Sequence, residues 1–199
     1  MNLDRKGTIT ALQALNDQLG MSRNSCVEIV VCGGSALQAL SLVDRTTRDV
    51  DILAFLSRDE TNVPMFESAE PFPDYLQKAI STVARDLRLP NDWLNYGPTS
   101  LLSQGLPEGL MDRLETHKIG SHLIVHYISR FDQICFKMYA AINGGGERHL
   151  NDLYKLDPND NELLIASRWC LTQDASDFFP LIVKDFLRKV GYSDVADRL

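Results

Sequence analysis

The chain has 199 residues and a formal net charge of −7. This length is typical of one domain, or of one domain with a small helical addition. Hydrophobic residues make up 44% and charged residues 24% of the chain, which is ordinary globular usage and excludes collagen-like, coiled-coil and disordered chains. Because 27 acidic residues outnumber 20 Lys and Arg residues, we expect no duplex-DNA-binding surface, although a small basic pocket for a nucleotide or an RNA end is compatible.

The four cysteines lie in apolar runs and form no C-x-x-C pair. This pattern disfavours a zinc or thioredoxin-type site and predicts buried, reduced thiols in a cytoplasmic protein. The first residues lack the apolar core of a secretion signal, and no stretch reaches the about 18 apolar residues of a membrane span. We therefore expect no membrane association.

Hydrophobic spacing and Gly/Pro punctuation divide the first half of the chain into alternating helices and strands. The predicted elements are, in chain order, a helix over 8–19, a strand over 27–32, a turn at 33–34, a helix from 35, a strand over 49–55, a loop over 57–74 and a helix over 75–88. The following stretch, 90–111, is rich in proline and glycine and predicts an irregular connection of the kind that often borders a functional site.

The second half begins with a predicted β-hairpin, RLETHKI and HLIVHYI around Gly120-Ser121. The pattern then becomes helical, with predicted helices over 131–142, 147–156, 160–173 and 177–190. We therefore predict an α/β core over 1–129 and a helical portion over 130–199, packed together as one unit.

Two carboxylates at the start of the second strand are the first candidate functional residues. Asp49 and Asp51 are two positions apart in the run RDVDIL, so strand geometry places both on one face, with Val50 pointing the other way into a core. Paired carboxylates repel one another unless a cation lies between them, and a hard divalent cation such as Mg²⁺ prefers oxygen ligands. The alternative is an edge strand kept soluble by its charges.

The turn Gly33-Gly34-Ser35 lies between the first strand and the next helix. Glycines allow a phosphate to approach the backbone, the helix start offers free N–H groups, and Ser35 adds a hydroxyl donor. Such turns are also common without function. Together with the aspartates, the turn predicts a bound triphosphate whose phosphates are bridged by metal ions, as two-metal phosphoryl transfer requires.

This order of motifs resembles the nucleotidyltransferase superfamily, which has the DNA polymerase beta-like fold. The segments NDWLN, LPEGLMDRL, KMYAAI and RHLNDLYKL extend the resemblance to bacterial proteins related to the AbiEii and MenT toxins of toxin–antitoxin systems. The resemblance implies an α+β fold, with a mixed sheet carrying the aspartates, flanking helices and a helical C-terminal portion. It also implies transfer of a nucleoside monophosphate from a nucleoside triphosphate to a hydroxyl acceptor, with Mg²⁺, or Mn²⁺ in its place, on Asp49 and Asp51.

The resemblance also points to residues outside the first motifs. Many members carry a third carboxylate on a strand beside the D-x-D strand, and here the hairpin offers only Glu115. By position, Lys137 and Asp152 match an active-site lysine and aspartate of the toxin relatives. The alternatives are that the Lys137 amine reaches solvent along an apolar helix and that Asp152 pairs with Arg148 one turn away; Arg148 could equally meet a phosphate or the acceptor.

Two further groups of residues are weaker candidates. Arg48, directly before Asp49, either steers a nucleotide or is an ordinary surface charge. His117, His122 and His126 fall near the hairpin, where we expect partly exposed strand histidines rather than metal ligands.

Three functions follow for comparison. The first is a magnesium-dependent nucleotidyltransferase acting on an RNA end or a protein side chain, with an antitoxin partner if it is a toxin. The second is a catalytically weak or inactive nucleotide-binding or partner-binding module of the same fold, which a missing third carboxylate would favour. The third, a metabolic hydrolase with acidic metal ligands, lacks the histidine-rich ligand set that we would expect.

Overall fold

The computed structural model describes residues 3–22 and 26–199. Within them the fold is α+β, with a six-stranded mixed sheet flanked by helices, as predicted. The chain forms two compact units: Met1–Ser103 with Arg113–Ile128 makes the sheet unit, and Gln104–Asp112 with Ser129–Leu199 makes the helical unit. Part of the irregular connection therefore groups with the helices. No helix of the described residues combines the length and apolarity needed to cross a membrane.

The described elements are named in chain order. The strands are β1 Val27–Cys32, β2 Val50–Arg58, β3 Pro64–Glu67, β4 Leu94–Asn95, β5 Glu115–Lys118 and β6 Leu123–Tyr127. The helices are α1 Arg5–Met21, α2 Gly33–Ala39, α3 Asp74–Leu87, α4 Leu101–Gln104, α5 Arg130–Ile142, α6 Glu147–Lys155, α7 Asp160–Gln173, α8 Phe179–Lys189 and α9 Ser193–Asp197.

The sheet has the order β3-β2-β1-β6-β5, and the short β4 also pairs with β2. β1 is antiparallel to β2 and parallel to β6, while β2 is parallel to β4. The register places Cys32, the last residue of β1, opposite Asp51 of β2. This pairing brings the glycine turn, which follows Cys32, next to the D-x-D motif that contains Asp51.

One face of the sheet carries the apolar core of its unit. Leu12, Leu15 and Leu19 of α1 are each at most 1% exposed, and they belong to the same buried cluster as the inward residues of β1 and α3. Burying one such leucine contributes roughly 1.5–3 kcal/mol. Of the four residues whose spacing predicted α1, the three leucines form its core face, whereas Ile9 is 42% exposed.

The structure confirms most predicted elements and corrects others. β1, the hairpin β5–β6 and the long helices lie where the sequence places them. The predicted loop over 57–74 is wrong in part, because β2 continues to Arg58 and β3 pairs with it. The turn between them is organised by Asp59, whose carboxylate accepts hydrogen bonds from the Thr61 hydroxyl and from the N–H groups of Thr61 and Val63. These hydrogen bonds lower the pKa of Asp59, and the bond from the Thr61 hydroxyl has the largest effect.

Two smaller predictions also need correction. The helix α2 begins at Gly33, not at Ser35, so both glycines lie in its first turn. The prediction of buried thiols holds for three cysteines, but Cys26 is exposed. The short helix α9 was not predicted from the pattern.

Arg130 joins two helices of the helical unit. Its guanidinium donates to the Leu156 carbonyl at the end of α6 and to the Glu162 carboxylate in the first turn of α7. The shorter contact with Glu162 joins Arg130 Nη1 and Glu162 Oε1 at 2.6 Å. Glu162 also accepts from the Asn159 N–H and completes a capping box. Desolvation raises the pKa of Glu162, but the hydrogen bonds from Arg130 and Asn159 and the Arg130 charge outweigh it, so the pKa lies below its usual value.

Glu162→Gln removes the charge and keeps a side chain that can serve the capping box. A carboxylate with a lowered folded-state pKa stabilises above its unfolded pKa, and the contribution disappears as pH falls through the folded value. We therefore expect a loss of about 1 kcal/mol at pH 7 that vanishes well below pH ~4.3. Urea unfolding at several pH values measures it, with the exposed Glu60→Gln as control; a loss independent of pH would contradict the ion pair.

Candidate functional site

The glycine turn and the D-x-D strand meet at the end of β1. Gly33 follows Cys32 directly and has a φ of +69°, a conformation that L side chains rarely adopt. A Cβ atom at Gly33 would lie 2.3 Å from Oδ2 of Asp51, far closer than real Cβ contacts. The position therefore requires glycine for two independent reasons, and the Asp51 carboxylate lies against the Gly33 backbone.

The second oxygen of the Asp51 carboxylate is held by Asn95. The Asn95 Nδ2 donates to Asp51 Oδ1 at 3.1 Å, and the Asn95 Oδ1 accepts from the Gly97 N–H at 2.9 Å. Because a backbone N–H can only donate, the second bond fixes which end of the amide faces the aspartate. Asn95 comes to this place because β4 runs parallel to β2 with Asn95 opposite Asp51.

Asp49 lies one residue before β2 and is partly buried, like Asp51. Val50 and Ile52, on either side of Asp51, are fully buried, as the alternation predicts. The Thr47 hydroxyl donates to the Asp49 carbonyl at 3.3 Å and lies 3.5 Å from its carboxylate. The strand alternation thus directs the Asp51 carboxylate to the face opposite Val50 and Ile52, whereas Asp49 precedes the strand, so alternation does not set the direction of its side chain.

Gly34 and Ser35 complete the turn but are enclosed. Gly34 is buried and Ser35 is fully buried. The Ser35 hydroxyl donates to the Cys32 carbonyl at 3.5 Å. Donation to a phosphate would require the hydroxyl to rotate out of this long hydrogen bond.

The other sheet-unit candidates lie elsewhere. Arg48 forms a surface ion pair with Asp92 at 3.3 Å, with both side chains more than 60% exposed, and such pairs contribute little. Glu115 is exposed on β5, with β6 and β1 between it and β2. Three strand spacings make this about 14 Å.

The register also puts Glu115 on the wrong face for joining Asp51. Glu115 pairs with Tyr127, and Tyr127 pairs with Val31. Asp51 instead pairs with Cys32, the neighbour of Val31, and neighbouring residues of a strand point to opposite faces. The structure therefore does not bring the expected third carboxylate to the aspartate pair.

Lys137 and Asp152 lie together in the helical unit. The Lys137 Nζ is 3.0 Å from Asp152 Oδ2, and the two side chains are 6% and 1% exposed. The Lys137 amine is therefore buried against a carboxylate and does not reach into solvent. Arg148 is exposed on α6. Removing one partner of a buried pair is costly, about 3–5 kcal/mol, because the other charge stays buried.

His126 departs from the expectation of a partly exposed strand histidine. It is 6% exposed, with Nδ1 at 2.8 Å from the Thr116 hydroxyl and Nε2 at 2.9 Å from the Glu28 carboxylate. Among the described residues no group of three or more His, Cys, Asp or Glu side chains is arranged to hold a metal ion. Separately, a cavity of about 510 Å³ beside Arg5 and Arg45 includes none of the predicted site residues.

Comparison of the chain with protein-family models, curated proteins and solved structures finds no match. We therefore infer the function from the residues and geometry at Gly33, Asp49 and Asp51. Asn95 is the contact that sequence reasoning missed. Its segment NDWLN was noted as a resemblance, but no local pattern shows that its last residue lies beside Asp51.

Gly33→Ala tests the contact between the turn and Asp51. The added Cβ meets both an unfavourable φ and the carboxylate, so we expect a loss of about 3 kcal/mol or more in the free energy of unfolding. Gly144→Ala is the matched control, because Gly144 has a φ of +77° and no described atom within 4 Å of the added Cβ. The control should lose only about 1–2 kcal/mol; equal losses in denaturant titrations would argue against a close contact.

Asn95→Asp tests the electrostatics around Asp51. The new side chain keeps the acceptor for Gly97 but replaces the donor by a second carboxylate, which raises the pKa of the pair. A group with a raised folded-state pKa contributes stability that is lost as the pH rises. Relative to the parent, Asn95→Asp should therefore have a lower free energy of unfolding at pH 7 than at pH 5.

Addition of Mg²⁺ should restore the thermal stability of Asn95→Asp at pH 7, because a cation relieves the repulsion between the two carboxylates. Asn95→Ala is the control, because it loses the same hydrogen bond to Asp51 without adding a charge. Mg²⁺ should stabilise this variant less. Thermal unfolding with and without Mg²⁺ measures both variants. If Mg²⁺ has no larger effect on the Asp variant, the carboxylates at this position do not share a cation.

Proposed function

We propose that the chain is a magnesium-dependent nucleotidyltransferase, which moves a nucleoside monophosphate from a nucleoside triphosphate to a hydroxyl of an RNA end or a protein side chain. The observation that carries the proposal is the contact between the Asp51 carboxylate and the Gly33 backbone. It places carboxylate oxygens, which suit a hard cation, directly beside the glycine turn at the start of α2.

The donor chemistry of the aspartate pair fits magnesium. Asp49 and Asp51 are partly exposed carboxylates at the start of one strand, and they would hold Mg²⁺, or Mn²⁺ in its place. When bound, the cation would supply positive charge to the phosphates and to the attacking and leaving oxygens. The chain's own contribution is to hold the Asp51 oxygens in place, one by the Asn95 amide and one against Gly33.

The sequence resemblance to nucleotidyltransferases, and to the AbiEii and MenT toxins among them, supports the same proposal. On this basis we propose a toxin of a toxin–antitoxin pair, with an antitoxin protein as its partner. The buried pair of Lys137 and Asp152 is consistent with positions that matter in those relatives. Glu115 has no role in the proposed site, because it lies on the other face of the sheet.

A second candidate, a nucleotide-binding module without transferase activity, is favoured by one observation. The residue opposite Asp51 on the neighbouring strand β4 is Asn95, an amide and not a carboxylate. A site with two carboxylates holds fewer cations than one with three. Such a site would retain a nucleotide and a cation while transferring slowly or not at all.

One experiment separates the two candidates. Purified protein is incubated with Mg²⁺ and nucleoside triphosphates labelled at the α-phosphate, with total RNA and cell lysate as acceptors. The transferase proposal predicts label transfer that falls at least about 100-fold in Asp49→Asn and Asp51→Asn and persists in Asp86→Asn, an exposed aspartate on α3. Cation-dependent nucleotide binding without transfer supports the second candidate; neither binding nor transfer rejects both.

A further inference from the structure

Thr116, His126 and Glu28 form a hydrogen-bonded row across three neighbouring strands of the sheet unit. The Thr116 hydroxyl lies 2.8 Å from Nδ1 of His126, and Nε2 of His126 lies 2.9 Å from a carboxylate oxygen of Glu28. The strand register produces this row. Thr116 of β5 is directly opposite His126 of β6, and His126 is opposite Val30 of β1, two residues after Glu28. The proposed nucleotide site uses none of these three side chains.

The partners of the His126 imidazole determine what each ring nitrogen does. A carboxylate only accepts hydrogen bonds, so Nε2 carries a proton and donates it to Glu28. In the neutral ring, Nδ1 then has a lone pair that accepts the Thr116 O–H. A hydroxyl that donates to a base, while a third group orients the base, is the arrangement of an activated nucleophile.

The exposure of the three side chains also suits a nucleophile. Thr116 is exposed, as are the other residues of β5, and β5 stands at the end of the strand order. The side chains of His126 and Glu28 are 7% and 26% exposed, so the imidazole is enclosed while the hydroxyl is accessible. The exposed Thr10 differs, because its hydroxyl donates to the Lys6 carbonyl, which is not a base.

We propose that Thr116 is an acceptor for the nucleoside monophosphate, so that the chain modifies a second copy of itself. Thr116 Oγ1 attacks the α-phosphorus of a nucleoside triphosphate. The new O–P bond forms as the bond from that phosphorus to the oxygen bridging the β-phosphate breaks. Pyrophosphate leaves with that electron pair, and the hydroxyl proton passes to Nδ1 of His126. Glu28 is a positioning residue, which holds the imidazole in the required tautomer.

The distance within one chain requires a second copy. β6 and β1 lie between β5 and β2, so Thr116 is three strand spacings, about 14 Å, from Asp51, whereas reacting atoms must approach to about 3–3.5 Å. An exposed threonine at the edge of the sheet can instead enter the nucleotide site of another molecule. The inference rests on the proposed function, to which it adds a specific protein acceptor.

The purified full chain is incubated with Mg²⁺ and nucleoside triphosphates labelled at the α-phosphate, without RNA or lysate. We expect label on the chain itself, located at Thr116 by peptide mass spectrometry. The label should be absent in Thr116→Val and present in Thr116→Ser, which keeps a hydroxyl. Thr10→Val is the matched control and should be labelled like the parent.

A mixture of two variants separates the acceptor from the nucleotide site. Asp51→Asn should remain unlabelled alone, because its nucleotide site is impaired, and should become labelled when Thr116→Val is added. Thr116→Val should itself remain unlabelled in the mixture. Label on Asp51→Asn shows in addition that Thr116→Val is folded and active.

The same mixture tests the other two side chains. Asp51→Asn/His126→Gln keeps a polar side chain at position 126 that cannot take up the proton, so its labelling should be at least about 100-fold slower than that of Asp51→Asn. Glu28→Leu, also combined with Asp51→Asn, should slow labelling and change the ¹⁵N NMR signals of the His126 ring, which report its tautomer. Slower labelling with unchanged ring signals rejects the positioning role.

The remaining outcomes overturn the proposal in distinguishable ways. Unchanged labelling of Thr116→Val, or transfer to RNA or lysate proteins by a chain that does not label itself, rejects Thr116 as an acceptor and leaves the proposed function intact. Self-labelling that the mixture does not reproduce rejects transfer between copies. Equal rates for Asp51→Asn with and without His126→Gln reject activation by the imidazole. If the parent chain transfers label to no acceptor, the proposed function fails and this inference fails with it.

Discussion

The approach of the Asp51 carboxylate to the Gly33 backbone is the constraint on which the candidate site depends. It exists because β1 and β2 are antiparallel in a register that sets Cys32 opposite Asp51, and because the next residue has no side chain. A Cβ there would lie 2.3 Å from Oδ2. The residue at this turn must therefore be glycine, both because its φ is positive and because the carboxylate fills the space that a side chain would need.

The charged side chains of the two units are stabilised in different ways. In the helical unit, Lys137 and Asp152 are almost fully buried and neutralise one another, which limits the cost of removing them from water. In the sheet unit, Asp49 and Asp51 are only partly buried, and the Asn95 amide supports Asp51 without adding positive charge. Partly buried carboxylates of this kind present oxygen atoms of the type that a hard divalent cation prefers. This donor chemistry is the physical reason why we propose a cation site at the aspartates and not at the Lys137–Asp152 pair.

The sequence was sufficient where the fold depends on local pattern. The β-branched run of β1, the hairpin and the leucine spacing of α1 are local signals, and the alternation along β2 places Asp51 opposite the buried Val50 and Ile52. The β2–β3 turn was not predicted, because it depends on hydrogen bonds from two N–H groups to the Asp59 carboxylate. Composition does not show such bonds. The position of Glu115 and the neighbour of Asp51 depend on strand register. Whether Asp152 meets Lys137 or Arg148 depends on helix packing, so spacing alone left both alternatives open.

In the proposed site, Asp51 and the glycine turn bind the same cation and nucleotide. Titration of isotope-labelled protein with Mn²⁺, in the presence of a nucleoside triphosphate, tests it directly, because the unpaired electrons of Mn²⁺ broaden the NMR signals of the nearest nuclei. We expect the backbone signals of Gly33, Gly34 and Asp51 to disappear first and together, and the Asp51→Asn variant to keep them. Early broadening at Glu115 or in the helical unit, with these signals intact, would contradict the proposed site.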